Sequence, residues 1–285
     1  MRIFSSSYLP KLALVGSLAA ALVSCEDPEL PEAKPVSAST VGQSKVLVVN
    51  AAPGSTGIAA TAENISLGAP LAYLGSASTT FNAGQRLFVF NEPTNIAANP
   101  ANYPKVGNPP VDAPPVNTTA RTVTSRTSFL GGTNYTVFLT DQPTRPFVFP
   151  VTNTSDLGGI RTLIVTDNLA APAAGKAKVR FFNLSPSLTT AVGVYNTTAP
   201  AAFLFSARSY RAVSTGSGST LVNFNTFTEV NAGAYTLDVR ATATAAPVVA
   251  AKVYTFEAGK IYTLYASGLT GSSTTPLALS VVTHN

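Results

Sequence analysis

The pattern of apolar and polar positions predicts strands throughout the body of the chain. In Tyr235–Arg240 apolar and polar residues alternate with the period of two that is typical of a strand with one solvated face. Val46–Val49 and Leu87–Phe90 are apolar at every position, which predicts strands covered on both faces. Glycine, proline, asparagine and serine bound these runs, and no helical periodicity appears from Lys45 onward. The pattern therefore predicts an all-β fold.

The two halves of this body align with each other, which indicates an internal duplication. We therefore expect two tandem immunoglobulin-like β-sandwich domains, at residues 44–170 and 171–285, each with about seven strands. The strands that are apolar on both faces would then be covered by the other repeat. The segments that recur in the same order are Lys45–Pro53 and Lys178–Pro186, Asn82–Gly84 and Asn231–Gly233, and Phe129–Val137 and Phe256–Leu264.

Two recurring residue types have predictable structural roles. Gly84 and Gly233 lie between two predicted strands, where a glycine with positive φ can close a hairpin. Tyr135 and Tyr262 each follow a turn. We expect these rings to pack inward and their hydroxyls to bond nearby backbone, as in a tyrosine corner. The alternative, a ligand platform, is less favoured because both halves keep the tyrosine at the same framework position.

The first repeat carries a proline-rich insertion at residues 91–120 that contains Tyr103. A second proline-rich and aromatic segment, Gln142–Pro150, contains Phe147 and Phe149. Long loops in compact domains are often functional, and exposed aromatic residues can form an interaction surface. These three aromatic residues are therefore candidate binding residues, with plain surface loops as the alternative.

The N-terminal residues 1–24 have the features of a lipoprotein signal peptide. Arg2 and Lys11 precede an apolar run of 11 residues, Leu12–Leu22, which is too short to span a bilayer. The sequence Leu22–Cys25 resembles the bacterial lipobox, so Cys25 is predicted to be lipidated. We expect residues 25–43 to form a lipidated, acidic and proline-containing disordered tether. The acidic stretch resembles a surface-export signal of Bacteroidetes-type lipoproteins, and a plain solvated tether is the alternative.

Composition leaves few residues for chemistry. The chain has one cysteine, one histidine and no tryptophan, and only 11% of its residues are charged. The single histidine, His284, is next to the last residue, so Ser–His catalysis and a histidine or cysteine metal site are not expected. No phosphate-binding or dinucleotide motif is present, and we expect no cofactor. The acids of the body are dispersed, which makes a carboxylate-based glycosidase the least favoured alternative.

The net charge of +5 comes from scattered lysines and arginines, so nucleic acid is not an expected partner. Lys176, Lys178 and Arg180 are spaced to share one face of a strand. They could form a small contact for an anionic glycan. The alternative is an edge strand that is protected by charge against pairing with other chains.

The second half resembles a known bacterial family. Its motif Lys178–Pro186 followed by Val192–Tyr195, and the segments Asn231–Thr236 and Ala258–Thr263, are similar to the family named domain of unknown function 4397. The resemblance covers residues 44–285 as two copies. It implies an extracytoplasmic β-sandwich protein, often a lipoprotein and often in tandem copies, with no assigned activity.

Together these features predict a non-enzymatic lipoprotein of the bacterial cell envelope, anchored to the outer membrane through Cys25, with surface exposure left open. It would act as a structural or binding module, whose partners are the membrane and either envelope glycans or another surface protein. A glycan-binding adhesin or an accessory of polysaccharide capture is the alternative. The lack of tryptophan counts against that alternative because sugar sites favour large aromatic faces.

Overall fold

The computed structural model describes residues 42–92, 105–106, 111–112, 121–145 and 159–284. The described residues from 42 onward form one compact unit. Apart from one 3-10 turn at Gly218–Thr220, they form strands, turns and loops, so the predicted all-β fold is confirmed. No helix in the described ranges has the length and apolarity needed to cross a membrane.

The first repeat is a sandwich of two four-stranded sheets. One sheet has the order β10-β9-β1-β4 and the other the order β3-β2-β5-β8, while β6 and β7 form a separate small hairpin. The strands are β1 (Gln43–Asn50), β2 (Ala59–Ala62), β3 (Ile65–Ser66), β4 (Ser76–Asn82), β5 (Gly84–Glu92), β6 (Lys105–Val106), β7 (Val111–Asp112), β8 (Arg121–Phe129), β9 (Asn134–Thr140) and β10 (Arg161–Asp167).

The second repeat has the same arrangement. Its sheets have the orders β20-β19-β11-β16 and β13-β12-β17-β18, and β14 and β15 form a small hairpin. The strands are β11 (Lys176–Asn183), β12 (Val192–Asn196), β13 (Ala202–Arg208), β14 (Ser214–Thr215), β15 (Val222–Asn223), β16 (Thr228–Asn231), β17 (Gly233–Arg240), β18 (Val249–Phe256), β19 (Ile261–Ser267) and β20 (Ala278–Thr283).

The strand register repeats along with the strand order. β1 lies between antiparallel β4 and parallel β9, and β11 lies between antiparallel β16 and parallel β19. Val46 pairs with Tyr135 in the first repeat, and the aligned residues Val179 and Tyr262 pair in the second. The strand pairing therefore agrees with the duplication that the sequence predicts, whereas the boundary at residue 170 stays a prediction. Other matched pairs are Gly84–Phe129 with Gly233–Phe256 and Gln43–Asn82 with Lys176–Asn231.

The recurring glycines and tyrosines have the predicted structural roles. Gly84 and Gly233 have φ values of 134° and 143° between consecutive strands, a region that favours glycine. The Tyr135 hydroxyl accepts a hydrogen bond from the Leu130 backbone N–H at 3.0 Å. The Tyr262 hydroxyl accepts the equivalent bond from Glu257 at 3.1 Å. Both tyrosine side chains are buried, so they are framework residues and not a ligand platform.

Each sandwich has its own apolar core, and a third core joins the two repeats. Val46 and Val48 point into the first sandwich, while Leu47 and Val49 on the other face of β1 contact the second repeat. The prediction that Val46–Val49 is covered on both faces is therefore confirmed. In Leu87–Phe90 only the phenylalanines are buried, so its second face is only partly covered. The third core, here called the seam core, contains Leu47, Val49, Ala51, Phe138, Val165, Phe182, Leu184, Phe224 and Tyr265.

Candidate functional site

Several sequence-predicted site residues lie outside the described residues, and their roles stay predictions. They are Cys25, Tyr103, Phe147 and Phe149. The other three candidates all lie on β11, which the structure describes in full.

The three basic residues of β11 do not share one exposed surface that could serve as the contact for an anionic glycan. Lys176 and Lys178 are half-buried, and their ammonium groups donate to Asn231 Oδ1 and to the Ala170 carbonyl, each at 2.6 Å. Arg180 is completely buried. The edge-strand alternative is also wrong, because β11 is hydrogen-bonded to β16 on one side and to β19 on the other. Lys176, Lys178 and Arg180 do lie on one face of β11, but the first repeat covers that face around Arg180.

Arg180 is the centre of a buried polar cluster between the repeats. Its Nη2 lies 2.5 Å from Asp167 Oδ1, and neither side chain is more than 1% exposed. The guanidinium also donates to Thr263 Oγ1 at 2.9 Å and to the carbonyls of Thr166 and Asn225 at 3.0 and 3.1 Å. These hydrogen bonds satisfy a charge that would otherwise be very costly to bury. Burial lowers the pKa of Arg180 and raises that of Asp167, and the attraction between them opposes both shifts.

His284 joins the same cluster from the second repeat. Its Nε2 lies 2.8 Å from Thr263 Oγ1, and its Nδ1 lies 3.6 Å from Asp167 Oδ2. Burial lowers the pKa of His284 to about 3, and the positive charges of Arg180 and Lys45 add to the effect. The imidazole is therefore neutral at ordinary pH.

The hydroxyl of Thr263, the imidazole of His284 and the carboxylate of Asp167 lie in the order of a catalytic triad. Their surroundings nevertheless indicate a structural role. The Thr263 hydroxyl oxygen is fully buried and already accepts a hydrogen bond from Arg180 Nε. A nucleophile must reach the substrate and be activated by a base that can take its proton. A histidine with a pKa near 3 is a weak base for that purpose.

A second ionic cluster joins the repeats around Asp141. Arg161 donates to Asp141 Oδ2 at 2.7 Å, and the Tyr210 hydroxyl donates to Oδ1 at 2.7 Å. Arg211, the residue after Tyr210 in the second repeat, places its Nη1 3.7 Å from Asp141 Oδ2. Burial alone would raise the pKa of Asp141, but the hydrogen bonds from Arg161 and Tyr210, together with the positive charges of Arg161 and Arg211, hold that pKa below its ordinary value.

Three buried carboxylates have structural roles as partners of arginines. Asp141, Asp167 and Asp238 are buried, and each is paired with an arginine. Within the described ranges, no three histidine, cysteine, aspartate or glutamate side chains lie close enough together to hold a metal ion.

Two pockets flank the Arg180 cluster at equivalent places in the two repeats. The larger, here called the amide pocket, has a volume of about 180 Å³, and the smaller, here called the histidine pocket, about 70 Å³. Lys178 lines the first and Lys45, its aligned equivalent, lines the second. The amide pocket is lined by Thr166, Asn168, Lys178, Asn223, Asn225, Thr226 and Phe227.

The amide pocket is one part of the molecule that sequence reasoning missed. Its asparagines come from the segment that follows the Gly- and Ser-rich turn of the second repeat and from the connection after β10. The buried Oδ1 of Asn225 has no hydrogen-bond partner among the described residues. The one available sequence signal was the repeated asparagine in Val222–Asn225.

The chain matches no family model and no curated protein. Among solved structures, the Bacillus anthracis TIE protein aligns at 10% identity with a TM-score of 0.20. The alignment covers 80% of this chain and 50% of that chain, so the present chain spans about half the length of that neighbour. A likeness at this level carries no argument. The class of protein is defined by the fold itself, which is all-β with two sandwich repeats fused along a buried seam.

Proposed function

We propose that this chain is a lipid-anchored, non-enzymatic module of the bacterial cell envelope with a structural or binding role. The observation that carries the proposal is that the two sandwiches are joined into one body. The seam core and the Arg180 and Asp141 clusters connect the two sandwiches through apolar and ionic contacts. A rigid scaffold of this kind can hold end loops in fixed positions, as binding loops require.

The sequence supports the location. The lipobox at Leu22–Cys25 supplies a lipidation site, and the resemblance to domain of unknown function 4397 implies an extracytoplasmic protein. Several acyl chains on one residue would anchor the chain firmly, since each buried methylene adds about 0.8 kcal/mol. The outer membrane is the proposed site of attachment, and the acidic residues after Cys25 support export to the surface.

A palmitate-labelling experiment tests the anchor. We expect the full chain, expressed in a diderm bacterium fed a palmitate analogue, to carry the label and to fractionate with membranes. Cys25→Ser should lose both properties, and Ser24→Ala, which keeps the thiol, should retain them. Label on the Cys25→Ser variant would overturn the proposal. Protease treatment of intact cells then separates surface exposure from a periplasmic location.

Glycan binding is the second candidate function. The amide pocket favours it, because amide and hydroxyl side chains can both donate to and accept from sugar hydroxyls.

A further inference from the structure

We propose that the amide pocket binds one neutral sugar residue of a glycan. The inference deepens the proposed binding role and rests on it. It starts from the chemistry of the lining, which consists of three asparagines, two threonines, one lysine and one phenylalanine. Polar groups that converge in a concave site fix the orientation of a ligand, while an aromatic side chain supplies apolar contact.

The clearest sign of a ligand is the orphaned acceptor of Asn225. Its Oδ1 is buried and has no partner among the described residues. An unpaired buried acceptor costs about 1–3 kcal/mol, and a rotation of the Asn225 amide that lets Oδ1 accept from a ligand hydroxyl would remove that cost. The outer wall is open, since Asn168, Asn223 and Thr226 are exposed. A ligand can therefore reach the pocket from solvent.

The backbone around Asn225 is held in place before any ligand arrives. Its N–H donates to Asn223 Oδ1 at 2.8 Å, and its carbonyl accepts from Arg180 Nη1 at 3.1 Å. The same contact holds the side chain of Asn223 in place. Such preorganisation lowers the ordering cost of binding. The buried Arg180 cluster thus supports the pocket from behind.

The charge of the pocket favours a neutral ligand. Its only described ionic group is Lys178, whose ammonium already donates to the Ala170 carbonyl at 2.6 Å. No carboxylate is among the lining residues. An anionic group would find one lysine, whose ammonium is already hydrogen-bonded to the protein. A hydroxyl-rich ring would find several amide and hydroxyl partners. The Arg180 guanidinium lies over one face of the Phe227 ring, 4.3 Å from its centroid, so only the part of the ring that lines the pocket offers apolar surface for the carbon atoms of a sugar ring.

The size of the pocket limits the ligand to about one ring. Its volume of about 180 Å³ is below the range of roughly 300–1,000 Å³ that is usual for drug-sized ligands. We therefore expect weak binding, with a dissociation constant on the order of 1 mM for a single sugar. The equivalent histidine pocket, at about 70 Å³, is smaller and serves as an internal comparison.

Saturation-transfer NMR on the full chain in a sugar-free detergent tests the site. The probes are methyl α-glucoside, methyl α-mannoside, methyl β-galactoside and N-acetylglucosamine, with sulfate as an anionic comparison. We expect at least one sugar to bind and Asn225→Ala to weaken it at least tenfold. That variant keeps the backbone bonds of residue 225. The matched control, Asn134→Ala in the histidine pocket, should leave binding unchanged.

Each outcome bears on the proposal. It is overturned if no probe gives a signal at 20 mM, if sulfate alone binds, or if Asn134→Ala weakens sugar binding as much as Asn225→Ala does. Thermal unfolding of each variant separates loss of the site from loss of the fold. Palmitate labelling reports on the anchor independently, so intact labelling without sugar binding refutes the pocket and leaves the envelope proposal standing.

Discussion

Replacing Asp167 with asparagine should strongly destabilise the protein, because it would leave Arg180 as a buried cation without its counterion. The two groups are 2.5 Å apart and almost fully shielded from water. Asparagine keeps the shape of the side chain, but its single oxygen can accept from Thr136 or from Arg180 and not from both. The change therefore removes the charge and one of these two hydrogen bonds.

The expected cost is about 3–5 kcal/mol, the usual result of breaking a buried ion pair from one side. Urea unfolding of the detergent-purified full chain at pH 7 would measure it. With ten tyrosines and no tryptophan, far-UV circular dichroism and tyrosine fluorescence are the suitable signals. Glu257→Gln is the matched control, because this exposed carboxylate should change stability by no more than about 0.5 kcal/mol when neutralised.

A double variant separates loss of charge balance from loss of packing. In the first repeat the position equivalent to Arg180 is Leu47, since Leu47 pairs with Thr136 as Arg180 pairs with Thr263. An apolar residue is thus compatible with this place in the seam. Asp167→Asn combined with Arg180→Met should recover at least half of the lost stability. A cost below about 1 kcal/mol for Asp167→Asn, or no recovery in the double variant, would refute the reasoning.

Three further predictions concern the framework. The folded-state pKa of His284 is about 3 and the unfolded value about 6.5, so unfolding takes up a proton and stability should fall from pH 6.5 towards 3. The slope should be up to about 1.4 kcal/mol per pH unit, and reduced in His284→Gln. Tyr135→Phe and Tyr262→Phe should each cost about 1 kcal/mol in urea unfolding, since each hydroxyl accepts one backbone N–H. Phe138→Ala should cost about 3–5 kcal/mol while both repeats still unfold in one transition; two separated transitions in the native chain would contradict a cooperative seam.

The framework of each repeat could be predicted from the sequence because its signals are local. Gly84 and Gly233 mark hairpins through their backbone freedom, and Tyr135 and Tyr262 follow turns at aligned positions. A strand that is apolar at every position, such as Val46–Val49, indicates that both faces are covered.

The seam could be predicted only in part, because its contacts join distant places in the chain. Spacing correctly put Lys176, Lys178 and Arg180 on one face, but it could not show that Arg180 faces the carboxylate of Asp167 inside the protein. From the sequence alone an arginine is expected at the surface, because burial of its charge requires several partners at once. The amide pocket was missed for the same reason, because Asn168 and Asn225 meet only after both repeats have folded.

Duplication explains why the seam diverges where the framework does not. The two sheets that meet there are equivalent, so aligned positions from the two copies come close to each other. Thr166 pairs with Tyr135 and Thr283 with Tyr262, which makes the next residues, Asp167 and His284, equivalent. Their side chains lie 3.6 Å apart. Two identical aspartates at that distance would repel, and one would have to bind a proton. The neutral His284 opposite Asp167, which is paired with Arg180, removes this repulsion. Different residues at equivalent seam positions therefore allow the two similar sandwiches to pack together.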